Sequence, residues 1–246
     1  MIRFTRYVKG LAINSAVGSL LAARALAWVN ALLAVRFRLK LIGRCYVSWS
    51  AKVTGWSGVR LGNNVVISRG SWLNVNHRGD GSASLIIGDN VFLGQGNLLA
   101  TGKSIVIRDY CVSGPNCAFI CSSHTINDPE KHYASSGVTN RDEIYVGVNC
   151  YFGYGCTLIG NLTIGHGSIV GAGSIVTHDV PPFSLVVGSP ARVIKHYDFQ
   201  SKQWMPGNER AHADYPAEDE YLALLRQKRP FPIQPVSAAA EIFGDV

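Results

Sequence analysis

Residues 146–180 read VGVNCYFGYGCTLIGNLTIGHGSIVGAGSIVTHDV, and an aliphatic or aromatic side chain returns at every sixth position: Val146, Phe152, Leu158, Ile164, Val170 and Val176. Glycine follows at 147, 153, 165 and 171, while Ile159 and Thr177 depart from that rule. Four places after each of the six stands a small or apolar residue: Cys150, Cys156, Leu162, Ser168, Ser174 and Val180. A period of six matches neither the 3.6 of an amphipathic helix nor the alternation of a half-buried strand. It matches a solenoid with three short strands per turn, one side chain of each strand pointing into a narrow prism and small residues filling the corners. Glycine and asparagine at the bends accept backbone angles that bulkier residues resist. Stacked turns then bury between them what no single turn could bury alone.

The same pattern runs upstream in shorter pieces: Leu61, Ile67, Leu73; then Ile87, Leu93, Leu99, Ile105; then Ile107, Ser113, Phe119, where serine takes an apolar place. The pieces are offset from one another, as loops inserted between coils would make them, and HRGDGSA at 77–83 reads as one such insertion. A total of 26 glycines, above the usual share of about 7%, favours tight turns over long helices. The fold class is therefore all-β, a parallel β-helix solenoid of roughly six coils between residues 42 and 181. Its domain is expected to occupy 42–195, between a basic apolar helical segment at 1–41 and a C-terminal helix and tail at 196–246.

The passage GVNCYFGYGCTLIGNLTIGHGSIVGAGSIVTHDVPPFSLVVGSPARVIK, residues 147–195, resembles the hexapeptide acyltransferases. It is most similar to sugar O-acetyltransferases of the maltose and galactoside type and to those of bacterial exopolysaccharide synthesis. The resemblance covers about residues 60–196, and GSPARVIK is its most specific part. It implies left-handed coils, a hand opposite to the usual crossover preference. It also implies a homotrimer, acetyl-CoA as co-substrate and a sugar or glycolipid acceptor.

The count stops for longest in AFICSSHTINDPEKHY at 118–133, and returns only at Val146. Residues 125–145 are polar and contain Pro129 and Gly137, which oppose regular structure, so they read as a projecting loop. A solenoid flank is smooth, and a long excursion from it can build the wall that chemistry needs. His124 stands where this loop leaves the coil. In the resembled family a histidine at this place is the general base, and an imidazole with a pKa near 6.5 can take a hydroxyl proton at neutral pH. His132 shares the loop, and Asp128 or Glu130 could orient the imidazole. Cys121, three residues earlier, opens a covalent route through an acyl-cysteine, against the simpler reading of a small buried thiol.

The resemblance places coenzyme A in a groove between adjacent solenoids, along Tyr154, Ala172, Thr177, His178, Arg192 and Lys195, with an oxyanion donor among the backbone N–H groups near Tyr154. Arg192 and Lys195 also make physical sense, because the cofactor carries several phosphate charges. Neither a dinucleotide-binding glycine fingerprint nor a P-loop occurs. No metal site is expected. A zinc hydrolyase of the carbonic anhydrase type on the same solenoid would need His124, His132 and His166 to converge. N-acetylation of an amino sugar and a non-catalytic scaffold also stay open on such a solenoid.

Charge gathers at one end. Residues 1–41 carry Arg3, Arg6, Lys9, Arg24, Arg36, Arg38 and Lys40 and no acid, equal to the whole net charge of +7. The basicity therefore does not form a general nucleic-acid surface. A basic start, an apolar stretch and Ala25-Leu26-Ala27 imitate a secretion signal. A helix on an anionic membrane surface fits better, as do helices packed on the domain or on another subunit. The six cysteines include Cys111, Cys117, Cys150 and Cys156 at repeating small-residue places, as compact hydrophobes. Reduced thiols point to the cytoplasm, at the inner membrane face if the segment binds lipid. Beyond the coils, acids at 218–220 mark a helix start, and the final RPFPIQP resists regular structure.

Overall fold

The structure, a computed structural model, describes residues 45–75, 84–139, 141–207 and 214–228, together with Trp28. The helical segment expected at 1–41, the HRGDGSA insertion and the RPFPIQP tail lie outside the described residues. The first turn of the solenoid comprises β1 (Tyr46–Val47), β2 (Lys52–Thr54) and β3 (Val59–Leu61), and the second β4 (Val66–Ile67), β5 (Trp72–Val75) and β6 (Ser84–Ile87). The third holds β7 (Phe92–Leu93), β8 (Leu98–Thr101) and β9 (Ser104–Ile107). The fourth holds β10 (Val112–Ser113), β11 (Ala118–Ile120) and β12 (Glu143–Val146), and the fifth β13 (Tyr151–Phe152), β14 (Thr157–Ile159) and β15 (Leu162–Ile164). A sixth turn has β16 (Ile169–Val170) and β17 (Ile175–Val176), and Val180 supplies its third side through a parallel bridge to Ile164.

Equivalent strands pair in parallel, so three sheets form the faces of the prism. On the first face Val47, Ile67, Leu93, Ser113, Phe152, Val170 and Val186 stack in register. On the second the ladder is Val53, Leu73, Leu99, Phe119, Leu158 and Val176. On the third it is Leu61, Ile87, Ile107, Val146 and Ile164. These side chains are the core, nearly all of them fully buried, and each large one stabilises the fold by about 1.5–3 kcal/mol. Ser113, the apolar place taken by serine, is satisfied inside: its Oγ accepts from Asn97 Nδ2, and Asn97 Oδ1 accepts the Cys117 N–H at 2.7 Å.

The ladders also locate the inserted length. Each step from the first face to the second, and from the third to the next first, takes six residues. The step from the second to the third takes six from Leu158 to Ile164, eight from Leu99 to Ile107, fourteen from Leu73 to Ile87 and twenty-seven from Phe119 to Val146. All the variation falls on one edge. The other two edges are tight turns through the left-handed region, at Asn64, Asn90, Tyr110, Asn149 and Gly167 on one and Gly70, Gly96, Asn116, Gly155 and Gly173 on the other. Each of these bends is closed within six residues, and the inserted length falls on the third edge.

Two expected boundaries are corrected. The loop read over 125–145 ends earlier, because Glu143–Tyr145 already belong to β12 and Ile144 is fully buried. Past Pro181-Pro182, β18 (Ser184–Gly188) adds to the first face parallel to β16. The domain boundary at 195/196 falls inside β19 (Ala191–Asp198), which returns antiparallel to β18 after a cis Ser189-Pro190 bond and pairs in turn with β20 (Gln203–Pro206). The end of the solenoid is thus capped by strands of its own sheet. Then α1 (Glu218–Gln227) lies back over the fourth and fifth turns. Its first residue holds it: Glu218 accepts from the Tyr145 hydroxyl and the Val148 N–H, each at 2.8 Å. Arg226 adds an ion pair to Asp109 at 3.0 Å. No helix among the described residues is long and apolar enough to cross a membrane.

Candidate active site

The long excursion leaves β11 and rejoins at β12, and its two arms are zipped where they leave the edge. Thr139 N–H donates to Ser123 O at 2.6 Å and Thr125 N–H to Gly137 O at 3.2 Å, and His124 forms an antiparallel bridge with Val138. The backbone of His124 is therefore held on both sides while its side chain is exposed. Around it opens a depression of about 420 Å³ lined by Ser123, His124, Thr125, Ile126, Asn127, Val138, Thr139, Arg141 and Asp142. Three hydroxyls, an amide and one charge of each sign line it beside the apolar Ile126 and Val138.

Of the two carboxylates expected to orient His124, Asp128 is engaged elsewhere. Asp128 is held by Lys131 at 2.9 Å and by the Glu130 N–H at 3.1 Å. The carboxylate that lines the depression is Asp142, which the sequence reading missed along with Arg141, Asn127 and Thr139. Their signal was positional only: they lie just before the buried register resumes at Ile144. His132 sits at the head of a short 3-10 turn (Tyr133–Ser135) with its carbonyl accepting from Ser135. His166 is not part of this place. It is buried, its Nε2 lies 2.9 Å from Pro216 O, and its ring packs on Phe183, Tyr215 and Tyr221. Among the described residues no three His, Cys, Asp or Glu side chains gather to hold a metal, so the three-histidine zinc arrangement is not formed.

Cys121 points inward and is buried. Its Sγ accepts the Gly102 N–H at 3.1 Å, and burial pushes the thiol up to about 11. Little nucleophilic thiolate exists there at neutral pH.

The six residues expected at the cofactor spread over two edges and the cap of the single chain. Tyr154 and Ala172 stack in successive turns, where Gly173 N–H donates to Tyr154 O at 2.8 Å. A side chain on Gly153 would come within 2.5 Å of the Ala172 nitrogen, so that turn admits only glycine. Thr177 and His178 stand on the insertion edge, the hydroxyl 2.9 Å from His178 Nδ1. Arg192 and Lys195 are exposed on β19. The turn before β19 reaches toward Ala172, since Gly188 N–H donates to Ser174 Oγ at 3.2 Å. Tyr154, Ala172 and Arg192 therefore share one end of one edge, while Thr177 and His178 lie across the second face.

No protein-family model matches the chain. The chain is 38% identical over 112 residues to a Staphylococcus aureus protein named as an acetyltransferase, a stretch covering 46% of this chain and 55% of that protein. It is 33% identical over 102 residues to the serine acetyltransferase of Bacillus subtilis, covering 42% and 44%. The chain thus spans about half the length of the curated relatives it matches. Among solved structures it is similar to AntD, an N-acyltransferase from Bacillus cereus solved in complex with dTDP and 3-hydroxybutyryl-CoA. The TM-score is 0.56 at 19% identity, over 75% of this chain and 90% of AntD. That likeness fixes the fold as a left-handed parallel β-helix.

Proposed function

We propose that this chain, which resembles the hexapeptide-repeat acetyltransferases in sequence and in fold, moves an acetyl group from acetyl-CoA to a sugar hydroxyl in surface polysaccharide or glycolipid assembly. The observation that carries the proposal is the exposed imidazole of His124, held by a zipped backbone at the mouth of a polar depression. His124 takes the proton of the acceptor hydroxyl as its oxygen attacks the thioester carbonyl. The tetrahedral oxyanion is met by a backbone N–H near Tyr154, a preorganised donor of the kind that contributes strongly in acyl transfer. Collapse expels the coenzyme A thiolate, which the imidazolium protonates, so the base is restored.

Arg192 and Lys195 would meet the cofactor's phosphates, and Tyr154, Ala172, Thr177 and His178 would flank its pantetheine arm. Because these groups spread over two edges and the cap of one chain, a homotrimer with the cofactor between adjacent solenoids would complete the site. Acetyl-CoA places the reaction in the cytoplasm, with residues 1–41 on the inner membrane face. An amino-sugar acceptor would use the same groups, and AntD, an N-acyltransferase sharing the fold, is the reason to test one.

The test measures thiol release from acetyl-CoA with a panel of nucleotide- and lipid-linked sugars. His124→Ala should lower kcat/KM by about 10²–10⁴-fold while light scattering still reports a trimer. Unchanged turnover in that variant would overturn the assignment, and stoichiometric zinc in active protein would replace it with metal-assisted chemistry.

A further inference from the structure

We propose that the first two turns of the solenoid form a docking surface for a bilayer rich in anionic lipid, through exposed Trp49, Lys52, Arg69 and Trp72 on the second face and the bend that leads into it. Twelve Lys and Arg precede the first acid, Asp80. Among the described residues the first two turns carry Lys52, Arg60 and Arg69 and no carboxylate, whereas α1 alone opens with Glu218, Asp219 and Glu220. Neighbouring turns lie about 4.8 Å apart. Three turns of separation therefore exceed the screening length of about 8 Å in physiological salt. The basic end acts on a charged surface independently of the acids on α1.

Charge alone would also suit a nucleic acid; the aromatic residues select a bilayer. Trp49 is 63% and Trp72 39% exposed. Lys52 pairs in register with Trp72, its Nζ 4.4 Å from the ring centre, and the indole N–H donates to Thr54 Oγ1 at 3.3 Å. The indole is thus held along the outer surface of the second face, with the Lys52 ammonium over its ring. Tryptophan with lysine or arginine is the pairing that headgroup regions favour, the ring at the interface and the cation at lipid phosphate.

The position also bears on the reaction, and this part rests on the function proposed above. Trp72, Leu98 and Ala118 are consecutive rungs of the second face, and His124 leaves that face just past Ala118. Two turns, about 10 Å, separate the tryptophan from the excursion. A sugar carried on a lipid through a phosphate linkage would reach the depression from a membrane resting on the first turns.

The experiment uses the full chain and vesicles of phosphatidylcholine with and without phosphatidylglycerol. Co-sedimentation is expected only with phosphatidylglycerol and should fall as salt rises. The double reversal Lys52→Glu/Arg69→Glu changes two exposed side chains and should lower the partition coefficient at least about tenfold with unchanged circular dichroism. In a Trp28→Phe background, Trp49→Phe/Trp72→Phe should lose most of the fluorescence quenching given by brominated lipid. The proposal is overturned by equal binding to neutral vesicles, by unaltered partition of the charge-reversed chain, or by retention on duplex DNA with none on vesicles. His124→Ala should bind vesicles like the parent, so failure of the catalytic reading and failure of this one are distinguishable.

Discussion

Cys121 and His124 are three residues apart and behave as opposites, because one side chain points into the prism and the other leaves it. Burial holds the Cys121 thiol near 11, so Cys121→Ser should keep acetyl transfer within a few-fold of the parent and leave its pH profile in place. A loss as deep as that of His124→Ala would show an acyl-cysteine instead. Tyr110 offers a test of the bends. It holds φ of 63° where the other turns use Asn64, Asn90, Asn149 and Gly167. A bulky side chain in the left-handed region costs roughly 1–2 kcal/mol. Tyr110→Asn should therefore raise the thermal midpoint, and a fall would show that the ring's packing outweighs the strain.

At the scale of elements, a single edge accepts all the length variation, and the longest insertion there is the one that carries His124. The strand that receives it back, β12, is tied from outside by α1: Arg108 donates to the Tyr145 hydroxyl at 3.1 Å, and that hydroxyl donates to Glu218. Burial, with Glu218 beside it, pushes the Tyr145 phenol up to about 12 from an ordinary 10. A raised folded-state pKa means that its contribution is fully present below pH 10 and is lost as pH climbs from 10 to 12. Tyr145→Phe should cost about 1–2 kcal/mol at neutral pH and flatten the alkaline fall in stability over that window. An alkaline fall of unchanged depth would mean that other groups open α1.

At the scale of the whole molecule, charge divides the chain into a basic beginning and an acid-rich later portion, and the membrane hypotheses belong here. Removing residues 1–41 should reduce recovery in membrane fractions while the exposed residues of the first turns retain a weaker, salt-sensitive association. Undiminished recovery would assign the whole effect to the solenoid or to the tail. The coils themselves were readable from the sequence, since a repeat of six with small residues at fixed places can satisfy a narrow prism and little else. The excursion that carries His124 was readable too, because it is the longest of the places where the count fails. The strands past Pro182 were hidden, for the count from Val176 falls next on Pro182, and β19 and β20 pair antiparallel on the open edge of the first face with no repeat of their own. So were the pairing of Asp128 with Lys131, the arrival of Asp142 in the depression, and the burial of His166 under α1. Periodicity is a local property that any turn displays by itself. Which charges meet across a loop, and which ring a distant helix covers, depends on contacts between residues far apart in the chain, and these form only once the prism has closed.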